Sequence, residues 1–192
     1  MAYSFFAFIS RMRYISRWGL MRNTEQENIQ EHSHMVAVLA HALAVVRRDV
    51  FHGEADPDYA AAAALYHDAP EIFTGDLPTP VKYYNPEIRT AYKEVESISA
   101  DKLLAMLPEE LRPSYDHLLH EDYDKGTKEL VKAADKLSAH LKCLEELKAG
   151  NAEFRQAAEQ TLSAVKAMGL PEVDYFIERF LPAFGLTLDE LQ

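Results

Sequence analysis

The chain has one cysteine, Cys143, so it can form no disulfide within itself and contains no cysteine-rich zinc module. A lone thiol fits a reducing compartment, and a cytoplasmic protein is expected. Glycine and proline, at 7 and 9 of 192 residues, are too scarce for a fibrous or disordered chain. No apolar run approaches the roughly 18 residues of a membrane span, and the aromatic, arginine-bearing segment 1–13 lacks the pattern of a signal peptide. Alternating apolar runs joined by hairpin turns are also missing. Basic residues are outnumbered by acidic ones, 20 to 31, for a net charge of −11. Such a balance argues against a nucleic acid polymer as partner. A small anionic substrate stays open, provided that a local cluster of Arg, Lys or metal reverses the field.

What is present is helical. Apolar residues in 31–49 recur at His32, Met35, Val36, Leu39, Leu43 and Val46, the stripe of a helix with one buried face. Asp56-Pro57 reads as a cap followed by proline at the first helical position, opening a helix that runs to about 69. Further helices are expected near 3–17, 87–106, 109–120, 127–149, 151–168 and 171–180, with a turn at 188–191. Residues 19–30 read as an irregular loop, and Pro70 with 74–80 as a rigid, turn-rich one. The expected architecture is all-α, a single helical domain over 1–192.

Three places put metal-type ligands on the core side of helices: Glu31-His32, His67-Asp68 and Asp135. Each is ambiguous alone. An inward His32 is more often a hydrogen-bonded core histidine. His67 and Asp68 are adjacent and cannot share one face of a regular helix, although a helix end followed by Pro70 loosens that constraint. Asp135, among Ala134, Ser138 and Ala139, could pair with Lys132 or Lys136 or face solvent. Together, two imidazoles and two carboxylates form a mixed nitrogen–oxygen set suited to Mn, Fe, Co, Ni or Zn. On an octahedral ion such a set leaves two positions for water and substrate.

The order His32, His67-Asp68, Asp135 resembles the signature of the HD-domain metal-dependent phosphohydrolases. The resemblance extends to Arg17-Trp18, Glu31-His32-Ser33, Tyr66-His67-Asp68-Ala69-Pro70-Glu71, Thr74-Gly75-Asp76-Leu77-Pro78-Thr79-Pro80, Lys142-Cys143-Leu144-Glu145-Glu146-Leu147 and Asp174-Tyr175-Phe176. These segments are similar to the bacterial 5′-deoxynucleotidases of the YfbR type, over nearly the whole chain. Gly19, after the Arg-Trp pair, is a minor departure.

The resemblance implies a site. His32, His67, Asp68 and Asp135 would hold one divalent metal, and His32, Asp68 and Asp135 would also border the substrate. Glu71 would activate the attacking water, a role that suits a carboxylate beside the metal but not bound to it. Arg17 would orient the phosphate through its planar fork. Trp18 would stand beside the sugar and disfavour a ribose 2′-OH. Asp76 would bind the sugar 3′-OH or assist the leaving oxygen, and Leu77, Pro78 and Thr79 would shape the nucleoside pocket. The implied substrate is a deoxyribonucleoside 5′-monophosphate with little base preference, and the implied assembly a homodimer. His34, His41, His52, His117, His120, His140 and Cys143 read as structural or surface residues. The competing readings are an HD phosphodiesterase or nucleotide pyrophosphohydrolase, and a non-catalytic nucleotide sensor. The presence of Glu71 speaks against the sensor.

Overall fold

Asn28 starts the helix on which the site is built. Its side-chain oxygen accepts from the backbone N–H groups of Gln30 (3.0 Å) and Glu31 (3.1 Å), while Glu31 reaches back to the Asn28 N–H at 3.3 Å. This reciprocal cap satisfies donors that the first helical turn leaves open. Glu31 is thereby a capping residue, and His32 falls in the first turn.

The structure is a computed structural model that describes residues 2–82 and 84–191. Its helices, in chain order, are α1 (Phe5–Ile9), α2 (Ile29–Val45), α3 (Pro57–Tyr66), α4 (Glu71–Thr74), α5 (Thr79–Lys82), α6 (Pro86–Ala105), α7 (Arg112–Leu119), α8 (Lys125–Lys148), α9 (Arg155–Lys166) and α10 (Pro171–Arg179). The all-α expectation holds. Among the described residues, no helix is long and apolar enough to cross a membrane.

Two local readings need correction. The helix expected over 3–17 ends at Ile9, tightens into a 3₁₀ turn over Ser10–Tyr14, and gives way to extended backbone at Ile15. The cause is an antiparallel contact between residues 15–17 and 27–29. Arg17 N–H donates to Glu27 C=O at 2.9 Å, and Ile29 N–H to Ile15 C=O at 3.0 Å. A contact this short carries no alternating pattern to read. The turn-rich stretch at Pro70 and 74–80 overlaps two short helices, the last residue of α4 and the start of α5, with Pro70 preceding one and Pro80 in the first turn of the other. Proline fits a helix's first turn as well as it fits a loop, which is why the composition misled. Residues 75–78, with Asp76, are irregular as expected.

The main core lies between α2, α3 and α8. Val36, Leu39 and Leu43 of α2 meet Leu130 and Leu137 of α8 across Ala60, Ala63 and Ala64 of α3. The small residues let α3 approach both neighbours closely, which brings its C-terminal end to the head of α2. A second cluster, with Phe5, Leu103, Leu107, Leu119 and Ala69, supports the turn after α3. A third joins Cys143, Phe154 and Ala158, with Trp18 and Met21 packed on it.

α8 also carries a buried charged network. Glu146 is 1% exposed and accepts from Lys142 Nζ (2.6 Å), the Thr24 N–H (2.9 Å) and hydroxyl (2.7 Å), the Glu25 N–H (3.2 Å) and Asn151 Nδ2 (2.8 Å). Its many partners repay its desolvation. The result is that the loop leading from Trp18 to Asn28 is clamped to α8.

Candidate active site

The chain leaves α3 at His67 and winds through short turns to α4. Ala69 N–H bonds Tyr66 C=O and Glu71 N–H bonds Asp68 C=O, each at 3.0 Å. The irregular winding lets adjacent residues converge: His67 Nε2 and Asp68 Oδ2 lie 3.3 Å apart. Asp68 Oδ2 is also 3.6 Å from His32 Nε2 and 3.3 Å from Arg17 Nη1. From α8, Asp135 Oδ1 reaches His32 Nε2 at 3.1 Å. His32, His67 and Asp135 each present a ligand atom within 4.8 Å of the others. Asp68 touches both imidazoles but is drawn toward Arg17, so it stands at the edge of this trio.

The donor set fits a divalent metal on independent grounds. His67 Nδ1 faces the Ala64 carbonyl at 2.7 Å, so it must carry the ring proton. Its Nε2 is then a bare lone pair, buried and without a hydrogen-bond partner. His32 is wholly buried, and its Nδ1 meets Ser138 Oγ at 3.1 Å, which aims Nε2 at the carboxylates. Imidazoles oriented through the far nitrogen are the usual arrangement of metal ligands. Ser138→Ala is therefore expected to weaken metal binding by about tenfold to a hundredfold, as read by calorimetric titration of the metal-free protein.

Electrostatics sharpen the picture. Burial alone would raise the Asp135 carboxyl, but the His32 hydrogen bond, with His67 and Arg17 nearby, holds it well below the usual carboxylate range. Burial likewise works against the Arg17 guanidinium, and Asp68, Glu27, Asp135 and Asp76 outweigh it, so its charge is secured. Glu71, at the start of α4, is 6% exposed, and its Oε2 has no partner. Burial, then repulsion from Asp68 and Asp76, pushes its carboxyl up to about 10, while Lys82 and Arg17 pull it down. Asp76 is also raised, by burial first.

The profile of the YfbR-like 5′-deoxynucleotidases matches residues 4–184. The chain belongs to this family. It is 50% identical over 188 residues to a 5′-deoxynucleotidase of Cronobacter sakazakii, covering 97% of this chain and 94% of that one. Among solved structures it resembles an HD-domain phosphohydrolase from Listeria innocua, with TM-score 0.82 and 26% identity over 94% of this chain and 88% of the other. It also shares its fold, at TM-score 0.68 and 24% identity over 92% of this chain and 95% of the other, with a cyanophage S-2L HD phosphohydrolase bound to dA and one catalytic Zn2+.

For a YfbR-like chain, the placement of the remaining residues is informative. His67, Asp68, Glu71 and Asp135 line a cavity of about 640 Å3 that also receives Lys82, Lys93, Lys128 and Lys132. These lysines and Arg89 share the cavity with as many carboxylates, Asp68, Glu71, Glu96, Glu121 and Asp135, and Lys82 pairs with Glu96 at 2.8 Å. Arg17, Trp18 and Asp76 do not line this cavity; Arg17 pairs with Asp68 at 3.3 Å, and Asp76 is in reach of Arg17 and of the Trp18 amide. Leu77 and Pro78 are half-buried, Thr79 is exposed, and none of the three lines the cavity. Cys143 is a core residue, its thiol pushed up to about 11 by burial. His120 lines the cavity and pairs with Asp116 at 2.7 Å and Asp101 at 3.3 Å.

Sequence reasoning missed Ser138 and Glu27 as partners of site residues. Ser138 was legible, because it lies one turn after Asp135 on α8 and faces the same way. Glu27 had no such signal; only the chain reversal between residues 17 and 27 brings it to Arg17.

Proposed function

We propose that the chain is a metal-dependent hydrolase of deoxyribonucleoside 5′-monophosphates, giving deoxynucleoside and phosphate with little base preference. The observation that carries this is the convergence of His32, His67 and Arg17 on one carboxylate oxygen of Asp68, with the unpartnered Glu71 carboxylate one turn away. It joins a metal-type donor set, a phosphate-type fork and a buried base within one small volume.

His32, His67, Asp68 and Asp135 would hold one divalent ion. Such an ion supplies positive charge that neutralises the phosphate oxygens and makes a nearby water more acidic. Arg17 grips the phosphate oxygens with the part of its fork not engaged by Glu27 and Asp68. Glu71 would hold the attacking water and take its proton at Oε2 once the charge of a divalent ion beside Asp68 offsets the burial and carboxylate repulsion that keep its carboxyl protonated. As the water oxygen bonds to phosphorus, the bond from phosphorus to the 5′ oxygen breaks. Asp76, raised by burial while Arg17 and the Trp18 N–H pull it down, would hand a proton to that oxygen as it leaves or bind the sugar 3′-OH. Trp18 walls the sugar against a 2′-OH, and Leu77, Pro78 and Thr79 border the nucleoside. Contributions from five separate regions between residues 17 and 135 support one domain over 1–192. A homodimer is the commonest closed assembly, and the single buried thiol suits the cytoplasm.

The test is phosphate release from dAMP and AMP by metal-stripped protein reloaded with Co, Mn, Fe, Ni or Zn. Release that requires metal and favours dAMP is expected. Nucleotide binding without release under any metal would overturn hydrolysis in favour of a sensor.

A further inference from the structure

One carboxylate oxygen outside the metal-type cluster holds both side chains assigned above to the phosphate and the sugar. Glu27 Oε2 accepts from Arg17 Nε at 3.0 Å and from Trp18 Nε1 at 3.0 Å. The Glu27 carbonyl also accepts the Arg17 N–H at 2.9 Å, so backbone and side chain act together. The Arg17 and Glu27 side chains are only 12% and 14% exposed, and water competes weakly for these bonds.

Two facts show that Glu27 is there for orientation. First, Arg17 has no need of it for charge balance, because Asp68, Asp76 and Asp135 already bear on the guanidinium. In a chain of net charge −11, another carboxylate beside a phosphate-binding arginine weakens the attraction for an anion. Its electrostatic effect is adverse, so its benefit lies in geometry. Second, Trp18 sits at φ +59°, a left-handed conformation that a bulky residue adopts only when its surroundings impose it. Its ring leans on Phe154, with centroids 5.3 Å apart, and its one N–H is taken by Glu27.

We infer that Glu27 is a positioning residue that locks the Arg17 fork and the Trp18 ring in one register, so that grip on the phosphate and rejection of the ribose 2′-OH are set together. This rests on reading the site as a 5′-deoxynucleotidase. Asp68 engages Arg17 Nη1 from the far side at 3.3 Å, and Nη2 takes no part in either bond. The guanidinium is thus fixed at two corners, while the indole is fixed relative to the same oxygen. Without Glu27, the sugar wall and the phosphate fork would move independently.

Glu27→Gln keeps the shape and one neutral acceptor; Glu27→Ala removes both. In metal-loaded protein, the dAMP-to-AMP ratio of kcat/KM is expected to fall about tenfold in Glu27→Gln, with a several-fold rise in KM for dAMP. In a Trp18→Phe background, which lacks the indole N–H, adding Glu27→Gln is expected to raise KM and leave the sugar ratio where Trp18→Phe put it. Trp18 is the chain's one tryptophan, so its fluorescence reads the contact without turnover. Its emission is expected to shift in metal-free Glu27→Gln, and dAMP to quench it less. Glu153→Gln, which loosens the same loop at the Arg22 N–H (3.3 Å), is expected to change neither ratio nor emission.

A Glu27→Gln protein with wild-type sugar ratio overturns the inference, even if its melting temperature falls, because a merely structural role predicts that outcome. If the wild-type chain releases no phosphate from dAMP with any metal, the functional reading fails on its own. Trp18 emission and its quenching by dAMP then decide the role of Glu27: unchanged values in Glu27→Gln overturn it, and altered values support it.

Discussion

Glu71→Gln is expected to lower the turnover of dAMP by about a thousandfold while leaving its KM within a few-fold of wild type, the signature of a lost general base. The substitution preserves shape in a site where Glu71 is 6% exposed, so the cavity and its lysines are undisturbed. What disappears is a buried carboxyl whose Oε2 has no hydrogen-bond partner. Asp68 is engaged with Arg17 and both imidazoles, and Asp135 with His32. Steady-state phosphate release measures the effect, and equilibrium binding of dAMP checks that the site still forms. A turnover within tenfold of wild type would move the base elsewhere. The same change is expected to raise the melting temperature of the metal-free protein by a few degrees, because folding no longer has to hold a buried carboxyl protonated at neutral pH.

Glu146→Ala is expected to destabilise the protein by about 3 to 5 kcal/mol, a fall in Tm on the order of 10 °C. The carboxylate is 1% exposed and Lys142 is 4% exposed, so truncation strands a buried ammonium group. It also strands the Thr24 and Glu25 N–H groups, while Asn151 Nδ2 loses one of its two acceptors and keeps the Arg22 carbonyl at 2.7 Å. Replacing both charges with apolar residues would therefore not restore stability, since the backbone donors would still lack an acceptor. Glu146→Gln keeps an acceptor and should recover about half of the loss. The pH dependence follows from the sign of the shift. Burial raises this carboxyl, but Lys142, Thr24 and Asn151 outweigh it and hold it far below its ordinary value of 4.5. A depressed acid stabilises the fold above its unfolded value and loses that contribution as pH falls. Chemical denaturation should show stability declining below about pH 4.5 in the wild type and a flatter profile in Glu146→Gln.

The buried network and the base illustrate two kinds of buried carboxylate. Glu146 is surrounded by donors and is held ionised; Glu71 is surrounded by carboxylates and is made basic. The first kind stabilises the clamp that holds the substrate-facing loop. The second costs stability, as reactive groups commonly do.

Much of this was written in the chain. The period of His32, Met35, Val36, Leu39 and Leu43 made α2 and placed His32 inward, because a helix returns to the same face every three to four residues. Asp56-Pro57 marked the head of α3, and the His67-Asp68 pair before Pro70 marked its end. These are local signals, decided by backbone sterics and burial of one face. The resemblance carried by Arg17-Trp18 and the 74–80 segment added roles that no periodicity could assign. Tertiary structure alone decided the rest. The extended contact between Ile15 and Ile29 is two bonds long and leaves no pattern. α4 and α5 are single turns whose prolines read equally as loop. Asp135 pairs with His32 rather than with Lys132 or Lys136, because α8 crosses the head of α2 and its buried face meets the imidazole. Glu27 reaches Arg17 and Trp18 only through the reversal of the chain between them. Contacts between residues distant in sequence depend on how helices pack, and packing is a property of the assembled core, not of any one segment.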